Sequence, residues 1–158
     1  MAAKLILMRH GTAKNVPDPP LSDIGLTEVH MASDKVAGWD VACFFSSPAN
    51  RCVSTARVLA KPKNVAVKVD DRLSDGATWS SVSKFVEEIR TLNGSVVAVT
   101  HAPVIKSVLV QLLGIEASKI DLNRISPLSY SVIDLDDPNP KGSKLLTDMF
   151  YESSKLFT

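Results

Sequence analysis

The chain has 158 residues, 45% of them hydrophobic and 22% charged, the proportions of an ordinary globular protein, and that length suits one core, so residues 1–158 are read as a single domain. Eighteen basic residues against 17 acidic ones leave a formal net charge of +1, which excludes a global field for nucleic acid or an acidic membrane and makes any anion site a local one. Cys43 and Cys52 form neither a disulfide framework nor a metal-ligand cluster, and no apolar run nears the roughly 18 residues of a membrane span, so a cytoplasmic protein without metal or cofactor is expected.

In chain order, the first predicted strand is residues 4–8 (KLILM), which delivers Arg9, His10 and Gly11 at its end. The Pro-rich VPDPP of residues 16–20 follows. Ser22 then reads as a helix N-cap, and Leu26, Val29, Ser33 and Val36 as an apolar stripe with His30 at its border, a partly buried structural residue. Residues 41–46 (VACFFS) form the second strand. Ser47 reads as the next N-cap, with Pro48 at the first helical position and Arg51 one turn on; Cys52 beside it is a packing residue. Residues 65–69 (VAVKV) make a third strand, and DDRLSDGATW (70–79) separates it from a helix carrying Val82, Phe85, Val86, Ile89 and Leu92 at helical spacing. The fourth strand, residues 95–100 (SVVAVT), runs into His101 and Ala102. A second such helix follows, with Val104, Ile105, Val108, Leu109 and Leu112, and Gly114 stops it. Residues 130–135 (YSVIDL) are a fifth strand.

Strands alternating with helices, three of the strands apolar enough to be buried on both faces, predict a three-layer α/β/α sandwich around a mostly parallel sheet, with segment 130–150 adding antiparallel edge strands. In such sheets ligands bind outside the carboxyl ends of the strands. Three strand ends carry unusual residues: Arg9-His10-Gly11, Ser46-Ser47-Pro48 with Arg51, and Thr100-His101-Ala102. Two guanidiniums and two imidazoles in one cleft repel one another unless an anion sits among them. Phosphate is the natural guest, since guanidinium forks match its oxygens and a helix N-terminus adds free N–H donors. A neutral imidazole is also a nucleophile, able to take a phosphoryl group that water then removes.

These segments carry a resemblance. LILMRHGTAKN (5–15) resembles the RHG signature of the histidine phosphatase superfamily, also called phosphoglycerate mutase-like; SSPANRCVSTARVLA (46–60) is similar to its SSPxxRxxxTA motif, and VVAVTHAPVIKSVLVQLLG (96–114) to its third, a strand ending in histidine. PLSDIGLTE (20–28) resembles the PLTxxGxxQ segment between the first two. The resemblance implies that His10 is the phosphorylated nucleophile and that Arg9, Arg51 and His101 complete the phosphate pocket with the Ala102 N–H. It makes Asp75, in the stretch Leu73-Ser74-Asp75, the candidate general acid, beside the alternative of an acidic loop residue. Asn15 stands five residues after His10 where many mutase-type members have asparagine at six, and Ala102 replaces a common glycine.

The short chain, without the insertions of sugar-phosphate mutases, resembles the small phosphohistidine phosphatase branch. The expectation is a metal-independent phosphatase acting on a phosphomonoester or on a protein phosphohistidine. The alternatives are a mutase-type phosphoryl transferase and a non-catalytic phospho-ligand-binding domain. The partner is then a phosphorylated small molecule or a phosphohistidine-bearing protein, not nucleic acid or membrane. Lys14, Asn15 and Lys106 are read as solvated.

Overall fold

A computed structural model describes residues 4–150. Its strands are β1 (Lys4–Arg9), β2 (Cys43–Ser46), β3 (Val67–Val69), β4 (Ser95–Thr100), β5 (Tyr130–Asp134) and β6 (Lys144–Thr147), and its α-helices α1 (Asp23–Val36), α2 (Asn50–Ala60), α3 (Trp79–Arg90) and α4 (Ala102–Gln111). The strands form one sheet in the order β3-β2-β4-β1-β5-β6. The first four are mutually parallel; β5 runs antiparallel to β1, and β6 to β5.

The alternation of side chains along each strand explains why the interiors of β1 and β4, residues 5–8 and 96–99, are apolar on both faces. Leu5, Leu7, Val96 and Ala98 pack with Phe85, Val86 and Ile89 of α3 and Val104, Ile105 and Val108 of α4. Their neighbours Ile6, Met8, Val97 and Val99 pack on the other face with Val29, Ala32 and Val36 of α1 and Cys52, Ala56 and Leu59 of α2. This is the expected three-layer α/β/α arrangement. The antiparallel part differs in one respect: β5 is an interior strand beside β1, and only β6 forms the edge.

Ser22 caps α1, its hydroxyl accepting the Gly25 N–H at 3.0 Å. The buried stripe of that helix is rotated from the predicted one, running through Gly25, Val29, Ala32, Ser33 and Val36, which leaves Leu26 and His30 exposed. Ser47 is not the N-cap of α2. Ala49 holds the cap position and the helix begins at Asn50, and the Ser47 hydroxyl accepts the Ala49 N–H at 3.3 Å, ahead of the helix rather than within its first turn. Gly114 adopts φ +71°, and its N–H bonds to the Val110 carbonyl at 3.1 Å just beyond α4. Among the described residues, no helix is long and apolar enough to cross a membrane.

Candidate active site

Parallel pairing brings the strand ends into register. Arg9 lies opposite Thr100 and Ser46 opposite Val99, so His10, Ser47 and His101 each follow their strands at one edge of the sheet. The His10 N–H bonds to the Thr100 carbonyl at 3.1 Å and the Ser47 N–H to that of Val99 at 3.0 Å. The two imidazoles meet edge to face, with centroids 5.5 Å apart.

Each ring nitrogen has a partner. His10 Nδ1 lies 2.7 Å from the Gly11 carbonyl, which only accepts, so the ring proton sits on Nδ1. Its Nε2 lone pair receives the Arg51 Nε–H at 3.2 Å. Arg51 also reaches His101 Nδ1 at 3.2 Å. Since a guanidinium only donates, the His101 proton lies on Nε2 and goes to Ser47 Oγ at 2.9 Å. His10 is 7% exposed and His101 2%. Burial, reinforced by Arg9 and Arg51, lowers the pKa of each to about 4, the Gly11 bond opposing this for His10 and Asp75 for His101. Both imidazoles are therefore neutral at physiological pH.

Arg9 donates through its Nη1 to the Ile125 carbonyl, while its Nε is buried without a hydrogen-bond partner. Asp75 sits across the cleft, 3.8 Å from Arg51, with 57% of its side chain exposed against 15% for Arg51. The loop bearing Asp75 is tied down at two points. Thr100 Oγ1 donates to the Leu73 carbonyl at 2.6 Å, and Arg72 bonds both carboxylate oxygens of Asp70 at 2.9 and 2.7 Å and that of Glu88, on α3, at 3.1 Å. The Arg72 partnership holds the Asp70 pKa below the usual carboxylate range.

Arg9, His10, Arg51, Asp75, His101 and Ala102, the six residues singled out from the sequence, line one cavity of about 270 Å³, with Pro19 and Pro103 at its sides. Ala102 opens α4, so the first-turn amides of that helix have no intrahelical partners. Lys14 and Asn15 are exposed, Lys106 is half-buried, and none of the three lines the cavity. Burial pushes the Cys52 thiol up to about 12, an inert packing group. Among the described residues, no three His, Cys, Asp or Glu side chains gather to hold a metal.

Sequence reasoning missed Ser47 and Thr55 as parts of the site. Ser47 carried a polar residue ahead of Pro48, a signal that also fits a cap. Thr55 stood in the sequence as the threonine of the SSPxxRxxxTA pattern, one turn after Arg51, with no role attached; it is fully buried and its hydroxyl accepts the Gly11 N–H at 3.1 Å.

An α/β sheet whose carboxyl edge gathers two neutral imidazoles and two guanidiniums defines a protein built to handle phosphoryl groups. Residues 5–80 and 76–146 match the histidine phosphatase superfamily (branch 1), and the chain belongs to that family. It is 26% identical to phosphoserine phosphatase 1 of Hydrogenobacter thermophilus, over 85% of this chain and 87% of that protein. Among solved structures, the protein histidine phosphatase SixA complexed with tungstate superposes with a TM-score of 0.71 at 18% identity, covering 84% of this chain and 90% of that one. The phosphoserine phosphatase of Entamoeba histolytica in complex with 3-phosphoglyceric acid superposes with a TM-score of 0.69 at 18% identity, covering 99% and 100%. At these identities the two structures show a shared fold.

Proposed function

We propose that residues 1–158 act as one phosphatase domain that hydrolyses its substrate through a covalent phosphohistidine on His10, without a metal. The observation that carries this reading is the Nδ1 contact of His10 with the Gly11 carbonyl at 2.7 Å, which leaves Nε2 as a lone pair in the cavity. In the first step Nε2 attacks phosphorus, and the bond to the leaving group breaks. Phosphoryl oxygens take over the Arg51 donors now resting on the two rings, and Arg9, His101 and the Ala102 N–H hold the remainder of the charge. Water then attacks the phosphoryl group, the P–N bond breaks, and inorganic phosphate leaves a neutral His10. The outer end of the cleft, where 57% of the Asp75 side chain is exposed, admits the water for this second step.

The substrate class that fits best is a phosphohistidine on a protein. Its imidazole leaves without needing much protonation, so this reading asks for no proton donor at the outer end of the cleft, where Asp75 stands 3.8 Å from Arg51 with 57% of its side chain exposed. A phosphomonoester is the second reading, favoured by the presence of Asp75 in the cavity wall as a proton donor. Two free cysteines fit a reducing cytoplasm. Turnover assays in EDTA with a phosphohistidine protein, sugar phosphates, phosphoglycerates and nucleotides test the reading. Acid-labile, base-stable phosphate is expected on His10, and preference for the phosphohistidine protein decides between the two substrate classes. Loss of all activity in EDTA would refute the metal-independent route.

A further inference from the structure

Thr55 links the two halves of the site through one hydroxyl. It lies one turn after Arg51 in α2, and its Oγ1 donates to the Arg51 carbonyl at 2.8 Å. That bond uses its only proton, so the contact with the Gly11 N–H at 3.1 Å is one in which the oxygen accepts. Gly11 in turn carries the carbonyl that receives the His10 Nδ1 proton. The path from α2 to the nucleophile therefore runs from the Thr55 hydroxyl to the Gly11 amide, and from the Gly11 carbonyl to the imidazole.

Gly11 has no freedom to be held from the opposite side. A Cβ there would stand 2.7 Å from Val29 Cγ2 and 3.1 Å from Leu21 Cδ2, so the turn already rests against α1 and the segment before it. Thr55 is fully buried, which leaves no water to replace its hydroxyl if the side chain loses it. The amide directly after the nucleophile is thereby committed to the protein and is not a donor for phosphate.

We propose that Thr55 is a positioning residue for the nucleophile: its hydroxyl fixes Gly11 so that the Gly11 carbonyl holds the His10 proton on Nδ1 and leaves the Nε2 lone pair facing the cavity, at a distance from Arg51 set by the same oxygen. This rests on the reading of His10 as the phosphorylated residue. Loosening Gly11 lets the ring turn or change tautomer, and displacement of a reacting group by around 1 Å slows a reaction by up to about 100-fold.

The test compares Thr55→Val, which keeps the shape and removes the hydroxyl, with Thr55→Ser, which keeps the hydroxyl. The full chain is mixed rapidly with p-nitrophenyl phosphate to follow phosphorylation of His10, inorganic phosphate binding is measured by titration, and 15N spectra of the imidazoles report the tautomers. Thr55→Val is expected to slow phosphorylation by about 10-fold or more and to shift His10 away from the Nδ1–H form. Phosphate affinity, set mainly by the arginines, should change by less than about 3-fold, and Thr55→Ser should restore the rate. A folded Thr55→Val protein phosphorylated at the normal rate overturns the proposal, as does a serine variant as slow as the valine one, since the methyl group would then be what matters. Should the valine variant fail to fold, Thr55→Cys makes the same distinction, because a thiol accepts an N–H bond weakly. A native protein that never acquires phosphate on His10 defeats the functional reading instead, while the comparison of its 15N spectrum with that of Thr55→Val still decides whether Thr55 and Gly11 set the tautomer.

Discussion

The two ends of the cleft are built differently. At the inner end, His10 and His101 are 7% and 2% exposed, and all four of their ring nitrogens have partners at 2.7 to 3.2 Å. At the outer end Asp75 is 57% exposed and meets Arg51 at 3.8 Å. The inner end is held by the backbone of adjacent parallel strands, so its geometry exists before any substrate arrives and suits whatever carries the phosphoryl group. In the proposed reaction the outer end faces the leaving group, which is where substrates differ, and there the protein supplies one exposed carboxylate.

Breaking the inner end should have the largest effect on turnover, and the same effect for every substrate. His10→Ala removes the proposed nucleophile and is expected to lower kcat by about four orders of magnitude or more on both a phosphohistidine protein and an alkyl phosphate. Residual activity within about 10-fold of the native protein would refute covalent catalysis through His10. Arg51→Ala comes next, with an expected loss of about 100- to 1,000-fold in kcat, the typical loss when one donor to a developing oxyanion is removed. Steady-state kinetics on the two substrates should give matching losses, because in the proposed reaction Arg51 serves the phosphoryl oxygens rather than the leaving group.

The inner end was also the legible one. Arg9, His10, Arg51 and His101 announced themselves because strand-end positions in a parallel sheet converge by a general rule, and an apolar run ending in a charged residue is visible in one dimension. Asp75 came only from the family resemblance, since nothing in DDRLSDG separates a proton donor from a loop carboxylate. Ser47 was misread because its hydroxyl has two competing uses. A local cap and a bond to His101, 54 residues away, look the same in sequence. Leu26 and His30 were misjudged because the face α1 buries is fixed by contacts with α2 and the sheet, not by its own periodicity alone. The strand β6 was foreseen only as part of an antiparallel segment, since four residues following a Pro- and Gly-rich turn carry little period-2 signal.

Disturbing the outer end should separate the substrates. Asp75→Asn removes the carboxyl group's charge and its capacity to pass on a proton while keeping the shape. On an alkyl phosphate, whose alkoxide leaves poorly without a proton, kcat is expected to fall by about 100-fold. On a phosphohistidine protein the change should stay within about 3-fold, because the imidazole departs without comparable help. Equal large losses on both would make Asp75 part of the phosphoryl pocket and erase the distinction between the two ends. No loss on either would leave Asp75 a loop carboxylate.

Mild acid should have the smallest effect on turnover, and the reason again lies at the inner end. With a pKa of about 4 in the folded protein, His10 remains about 90% neutral at pH 5, so kcat/KM on a phosphohistidine-independent probe such as p-nitrophenyl phosphate should change by less than about 2-fold between pH 7 and 5 from this cause. Below pH 4 it should fall about 10-fold per unit as Nε2 is protonated. The sign for stability is opposite to that of a paired carboxylate's partner. Because the folded pKa lies below the 6.5 of a free imidazole, the unfolded chain binds protons that the native protein refuses. Native stability is therefore unaffected by these groups above pH 6.5, declines as pH falls from 6.5 towards 4, and levels off below that. Activity per folded molecule and the fraction folded should thus part company between pH 6.5 and 4, turnover holding while denaturant midpoints fall. An activity midpoint near 6.5 would instead mean that His10 is solvated like a free imidazole, and that the inner end of the cleft is as open as the outer.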